Sequence, residues 1–242
     1  MEHEATLRLG VFLCVLICMS ALEAWAPRRR RARPRGERWA LHGVLAVVGG
    51  IVGRLLAPVG AVAAATVAEE HGWGLLALLD APAWAETLCV LVALDLAIYG
   101  QHVLFHRLSW LWHLHALHHR DVDLDATSGV RFHPLELSLS ILWKALVIVA
   151  LGASAFSVLL FEIILNASSI FHHANLNLPV DIDRVLRRLW VTPDMHRVHH
   201  SVELEESQRN FGFALPIWDR LFGTYLEEPA AGQERMELGV RE

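Results

Sequence analysis

Charge is what this chain has least of. Asp, Glu, Lys and Arg make up 19% of its 242 residues, short of the roughly one quarter that a soluble domain carries. Hydrophobic residues account for 54% and the mean hydropathy is +0.37, which excludes an ordinary soluble domain and predicts one membrane-embedded unit. Cysteine is scarce as well. Cys14, Cys18 and Cys89 all lie within apolar runs, so neither a disulfide framework nor a thiolate zinc site is indicated, and each reads as a small apolar filler. The net charge is −5 and no basic face survives outside one arginine loop, which excludes nucleic acid as a partner. No G-x-G-x-x-G follows a strand, so no flavin or nicotinamide domain is built in, and the loops are too short to hide a fused cytochrome domain. No internal repeat of solenoid period is present.

What is there begins with an apolar run from Leu7 to Ala26, followed by Arg28, Arg29, Arg30, Arg31, Arg33, Arg35 and Arg38. Ala24-Trp25-Ala26 resembles a signal-peptide cleavage site. Glu2 and Glu4 stand where a basic start would be needed, however, and the arginine run resists translocation, so the first span is expected to remain uncleaved. The positive-inside rule places those arginines in the cytoplasm and the N-terminus outside. A second span is expected over Ala40 to Val67, with Pro58 as a kink candidate. The connection from Ala68 to Ala83 holds Glu69, Glu70 and Asp80 but no Lys or Arg, as an outside loop should. Trp25, Trp39, Trp73 and Trp84 flank these loops as interfacial anchors.

A third span, Trp84 to Leu104, returns the chain to the cytoplasm. The apolar stretch from Pro134 to Phe171 must begin and end on one side, and about 37 residues divide into two helices of roughly 25 Å each. That predicts a helical hairpin turning at Gly152. Lys144 lies eight residues before the turn and Glu162 ten after it, so an interhelical ion pair is expected between them. Short amphipathic helices around Asp183 to Trp190 and Asp194 to Ser201 would form a cytoplasmic cap, and a loose polar tail is expected beyond Glu227. The predicted fold is an all-α integral membrane protein of about five membrane-embedded helices, three spans plus a hairpin, with a cytoplasmic histidine-rich helical cap. Its expected divisions are 1–83, membrane helices and an outside loop; 84–226, the catalytic domain; and 227–242, the tail.

The chemistry lies in histidine spacing. His102 and His106 stand four apart, followed by His115, His118 and His119, and the tight pattern returns at His196, His199 and His200. On a helix, offsets of 3 and 4 share a face, so each group aims its imidazoles at a common point. Eight imidazoles exceed what one metal holds. Asp95, Tyr99, His102 and His106 stand at offsets 0, 4, 7 and 11, within about 60° of one face, and Glu162, Asn166, Ser169 and His173 repeat those offsets. Ligating imidazoles need acceptors on their outer nitrogens. Asp95 and Glu162 therefore read either as such partners or as members of interhelical ion pairs or hydrogen bonds. His173 shares the face of Glu162 and His172 does not, which makes His173 the ninth candidate ligand and His172 an outer or interfacial residue. His133 reads as a cap or a partner of a ligand. His113 falls off the ligand face, and His3, His42 and His71 have no partners in the pattern and read as bland.

Imidazole suits iron, zinc and copper alike, so ligand type alone does not name the metal. Soluble di-iron bundles use Glu-x-x-His ligands, and no such pair lies among these boxes. A membrane zinc hydrolase and a metal-transport or storage protein stay open on the residues alone. Bis-histidine haem is disfavoured because His118 and His119 cannot both face one porphyrin, and a transporter would carry its ligands at mid-membrane.

In order along the chain, H-x3-H, H-x2-H-H and H-x2-H-H resemble the boxes of the membrane-bound fatty acid hydroxylase and sterol desaturase superfamily. The flanking text agrees: HVLFHR at 102–107, RFHPLE at Arg131 to Glu136, HHAN at His172 to Asn175, TPDMHRVHHS at Thr192 to Ser201 and WDRLFGTY at Trp218 to Tyr225. One departure is Arg120, where the family more often has Ser. The resemblance covers roughly Asp95 to Tyr225. It implies a non-haem centre of two iron ions held by the histidine boxes, with Asn175 and Asp194 among the neighbouring groups. It also implies O2 as co-substrate and hydroxylation or desaturation of a lipid drawn from the bilayer. With no redox domain in view, a separate ferredoxin- or cytochrome-like electron donor with its reductase is expected to dock on the cytoplasmic face.

Overall fold

The computed structural model describes residues 4–79 and 81–241. Glu2, His3 and Asp80, which figured in the sequence reading, lie outside the described residues. Five helices are long and apolar enough to cross a membrane: α1 (Glu4–Trp25), α2 (Arg35–Leu55), α4 (Ala83–Arg107), α6 (Pro134–Leu151) and α7 (Ala155–His173). Shorter helices fill the intervals: α3 (Ala61–His71), α5 (Ser109–His119), α8 (Val180–Leu186), α9 (Pro193–His199), α10 (Leu204–Ser207) and α11 (Ile217–Leu221). The most apolar stretch of α1 is 0% buried within the protein. So much apolar surface needs lipid around it, and the chain is an integral membrane protein.

The second span differs from expectation. Pro58 lacks an amide hydrogen and its ring crowds the preceding turn, and the helix breaks outright instead of kinking. α2 ends at Leu55, a 3₁₀ turn spans Ala57–Val59, and α3 starts after the extended Gly60. α2 packs on the first part of α6, with Gly49 against Leu137, and α3 continues along α6 and α7.

The hairpin forms as its sequence predicts. Gly152 ends α6 in the left-handed region (φ 71°), and its amide donates to the Ile148 carbonyl at 2.9 Å, a glycine-terminated helix end. The turn packs against the connection after α3, where the Leu75 amide donates to the Ala150 carbonyl at 3.1 Å. Two carboxylates cover the free amides at the start of α7. Glu86 accepts from Ser154 N–H at 3.0 Å and Glu69 from Ala155 N–H at 3.0 Å, where the helix dipole favours anions. Val90, Leu94 and Ile98 of α4 pack with Ile148 of α6, Phe161 of α7 and Ala65 of α3 to form the core. α4 and α7 therefore run from the hairpin turn toward one common end, where every histidine box lies.

At that end the arginine run is more than a topological signal. Glu23, fully buried in α1, accepts from Arg31 and Arg35 and from the amides of Ala126 (2.9 Å) and Asn175 (3.0 Å). The segment after Glu227, expected to be loose, is docked instead. Met236 and Leu238 are buried with Leu124, Leu238 bridges Ser201, and the Met236 carbonyl accepts from Arg29 at 2.7 Å. Its large apolar residues are only Met236, Leu238 and Val240, too sparse to signal packing by composition.

The expected ion pair is present and has a third member. Lys144, the only lysine in the chain, donates to Glu162 Oε1 at 2.7 Å, and Arg8 meets Glu162 Oε2 at 2.7 Å. Glu162 thus serves interhelical pairing and does not reach an imidazole. Removing Glu162 strands the buried ammonium, whereas removing Lys144 leaves Glu162 paired to Arg8. Glu162→Gln is expected to cost about 3 kcal/mol and Lys144→Met distinctly less, with the double variant non-additive, as read by thermal unfolding in detergent. Additive losses would show that the two groups are uncoupled.

Candidate metal centre

Four helices bring the histidines together. α4 contributes His102 and His106 one turn apart, α5 contributes His115, His118 and His119, α7 ends on His173, and α9 contributes His196 and His199, with His200 as the residue that closes it. Their ring nitrogens form two groups: His102, His106, His115, His119 and His199 in one, and His118, His173, His196 and His200 in the other. Within each group the candidate ligand atoms all lie within 4.8 Å of one another. α5 splits its own triplet, because His115 and His119 share a face and His118 falls beside it. These are the nine histidines that helical spacing and the resemblance single out, and His172 is outside both groups.

The outer nitrogens fix which atom carries the proton. Nδ1 of His102 donates to the Phe211 carbonyl at 2.9 Å, Nδ1 of His199 to the Arg209 carbonyl at 2.8 Å, Nδ1 of His118 to the Arg131 carbonyl at 3.2 Å, and Nδ1 of His173 to the Ser169 carbonyl at 2.6 Å. His115 Nδ1 meets Glu136 Oε1 at 2.6 Å. Carbonyls and carboxylates only accept, so Nδ1 is protonated in these rings and Nε2 presents a bare lone pair. Two pairs of those lone pairs face each other, with Nε2 of His118 and His173 3.0 Å apart and Nε2 of His102 and His115 3.2 Å apart; Nε2 of His196 lies 3.2 Å from Nε2 of His173 and 3.2 Å from that of His200. Nε2 of His106 and of His199 and both ring nitrogens of His119 are buried without a hydrogen-bond partner. Burial, reinforced by neighbouring imidazoles, holds His118, His119, His196, His199 and His200 well below the ordinary histidine value of 6.5. Neutral imidazoles with converging, unsatisfied lone pairs are the donor set that borderline transition metals take, and the residues present fit two such ions.

The residues nominated as partners for the ligands divide. Asp95 reaches no imidazole; it accepts from Ala214 N–H, Leu215 N–H and Trp218 Nε1–H at 3.1, 3.1 and 2.8 Å. It thereby pins the loop whose Phe211 and Phe213 carbonyls hold His102 and His172. Tyr99 bonds Thr224 at 2.9 Å and stacks on Phe222. Asn166 turns its amide back to the Glu162 carbonyl. Asn175 exchanges two hydrogen bonds with the Arg29 backbone, and Asp194 pairs with Arg28 and Arg197. His133 caps α6, accepting from Leu135 N–H at 3.1 Å. His172 donates Nδ1–H to the Phe213 carbonyl at 3.2 Å, and its ring lies 4.0 Å from that of His196. His113 is exposed, as expected.

Two groups escaped the sequence reading. Glu136, in the first turn of α6, is the one carboxylate that touches a clustered imidazole among the described residues. Its place in RFHPLE was the only signal, since the contact spans 21 positions. The second is a buried charge network behind His118. Arg38 grips Asp121 at 2.8 and 2.7 Å and Asp125 at 2.7 Å, and Arg131 donates to the Leu117 carbonyl at 2.8 Å while its own carbonyl holds His118. The guanidinium of Arg38 and the hydrogen bond from His42 keep Asp121 ionised, far below the usual carboxylate range despite its burial. His42, read as bland, is 1% exposed, bonded to Thr127 and near Asp121.

A cavity of about 160 Å³ runs inward from the histidines between α4, α6 and α7, walled by Ile98, Phe105, Phe132, Leu137, Ile141 and Leu165. Gly129 borders it, and a β-carbon there would sit 2.7 Å from the Ser169 carbonyl oxygen, so only glycine lets this loop lie against α7.

A model of the fatty acid hydroxylase family matches residues 87–224. The chain is 32% identical over 142 residues to ornithine lipid hydroxylase OlsE of Rhizobium tropici, covering 57% of this chain and 41% of that protein. It is 25% identical over 142 residues to human alkylglycerol monooxygenase, 57% of this chain and 30% of the relative. To the Xenopus tropicalis enzyme of that name it is 26% identical over 166 residues, 64% of this chain and 34% of the relative. The chain thus spans less than half the length of these relatives. No solved structure matches it.

His173→Ala removes a lone pair from the second group, and His172→Ala removes none from either. The first variant is expected to lose about half the bound metal and the second to keep nearly all of it, measured by elemental analysis of the purified proteins. Equal losses would contradict the separation of the two rings.

Proposed function

The chain belongs to the fatty acid hydroxylase family, and on that premise we propose that it is an O2-dependent membrane monooxygenase that hydroxylates a lipid at a histidine-bound pair of irons. The observation that carries the reading is the opening of an apolar cavity onto two adjoining sets of neutral imidazoles. His102, His106, His115, His119 and His199 would hold one iron, and His118, His173, His196 and His200 the other. Iron bound there would supply the O2 reduction needed to oxidise an unactivated C–H bond, chemistry beyond any side chain in the site. The balance is one lipid C–H, one O2, two electrons and two protons in; one alcohol and one water out.

The protein's own share is orientation and exclusion. Backbone carbonyls and Glu136 fix the tautomer and direction of His102, His115, His118, His173 and His199, which raises their basicity toward a metal. The apolar walls would align a chain beside the histidines and keep bulk water out. The two relatives are named for an ornithine lipid and for alkylglycerols, which supports a polar membrane lipid as the substrate class here. Desaturation would need the same centre and a second hydrogen removal. The arginine-bearing connection between α1 and α2 lies at the histidine end, where Arg28 pairs with Asp194, and this supports a cytoplasmic active site. On the side away from the lipid cavity, a cleft of about 770 Å³ reaches His106, His119 and Trp112. Exposed Glu205 stands on its rim beside the Glu203–Arg241 pair, and a separate electron donor would dock there.

The test is O2 consumption by the iron-loaded protein in lipid nanodiscs, with a reductase and donor added and the bilayer lipids analysed afterwards. Reductant-dependent O2 uptake matched by a lipid gaining one oxygen atom is expected. Zinc in place of iron, with reductant-independent ester or amide cleavage, would replace this reading by a hydrolase.

A further inference from the structure

The cavity beside the histidines is not wholly apolar, and three of its polar groups fall at one depth. Trp143 Nε1–H donates to the Ala97 carbonyl at 3.0 Å, which fixes α6 against α4. Lys144 to Glu162 at 2.7 Å fixes α6 against α7. One helical turn from these contacts toward the histidine end lie Gln101 on α4, Ser140 on α6 and Asn166 on α7, and all three line the cavity. The level is set by register alone, because α4 and α7 run toward the histidines and α6 runs away from them. A further turn along α6 reaches Glu136, about 6 Å on at 1.5 Å per residue.

The amide oxygen of Gln101 is buried and has no hydrogen-bond partner. A slot built only for hydrocarbon would have no use for that atom, since an unsatisfied buried polar group is costly. The cavity volume adds a second restriction. About 160 Å³ is close to the space that holds one benzene, which suits one length of hydrocarbon chain at a time.

We propose that Gln101, with Ser140 and Asn166 at the same level, forms a polar collar that selects lipids by a hydroxyl or amide N–H on the single chain entering the slot. The donor hydrogen meets the Gln101 oxygen, and the adjoining chain carbons come level with the imidazoles, since His102 directly follows Gln101. Recognition of this kind discriminates strongly, because the analogue lacking the donor leaves the site's own polar group unpaired. The inference rests on the reading of this cavity as the lipid site.

The probes are 1-dodecanol and its methyl ether, equal in chain and differing in the donor hydrogen. Each is equilibrated between nanodiscs bearing the metal-loaded protein and empty nanodiscs, and the excess retained is quantified. Wild type should hold the alcohol roughly tenfold more tightly than the ether, a difference of about 1.4 kcal/mol. Gln101→Leu should bring the ratio to about one, and Ser140→Ala should lower it severalfold. A wild-type ratio of one, or a wild-type ratio retained in a fully metal-loaded Gln101→Leu variant, would overturn the proposal. If Gln101→Leu loses its metal, Ser140→Ala decides by the same ratio: lowered supports the collar, unchanged overturns it. Because binding and not turnover is read, a preserved alcohol preference in a protein that oxidises no lipid would sink the monooxygenase reading and leave the collar standing.

Discussion

The structure depends on a repulsion that must be relieved. Nine imidazoles crowd one end of a helical bundle, and their inner nitrogens meet at separations such as the 3.0 Å between His118 and His173. The outer nitrogens of His102, His115, His118, His173 and His199 already hold their protons against carbonyls and Glu136, so the inner nitrogens of these five rings have none to share. Cations between those nitrogens would turn this unfavourable contact into a favourable one. Much of the remaining architecture holds those rings in place against that repulsion.

That restraint comes partly from outside the family-matched segment of 87–224. Arg38, in α2, clamps the loop that carries Asp121 and Asp125, and the Arg131 carbonyl at the end of this loop fixes His118. Glu23, in α1, ties the same loop to the backbone at Asn175, two residues past His173. Buried ion pairs of this kind add little net stability, and their use is to specify one arrangement over others. The docked tail joins in from the other side, its Gly239 amide donating to the His200 carbonyl at 3.1 Å. The N-terminal helices therefore anchor the protein in lipid and also brace the metal centre.

The sequence made the two histidine groups legible because periodicity acts within one helix. His102 with His106, His115 with His119, and the choice of His173 over His172 all follow from 3.6 residues per turn. The hairpin was legible for a similar reason: its length, Gly152 and the Lys144–Glu162 pair are properties of two adjacent segments. Contacts that close over long separations left no such trace. Glu136 to His115, Arg38 to Asp121, His42 to Thr127 and the tail at Met236 depend on how the helices assemble. Asp95 shows the limit of a face argument, since it occupies the ligand face of α4 yet faces the loop that closes over that face. Pro58 shows another. A proline marks a weak point in a helix, and whether the chain bends or breaks there is decided by α6 and α7, against which α3 packs.

X-ray absorption of the metal-saturated protein, combined with elemental analysis, tests the account at its centre. Two metal ions per chain are predicted, each with a light-atom shell and the outer scattering pattern of imidazole, and no sulfur. Saturation at one ion per chain, or a shell lacking imidazole scattering, would contradict it.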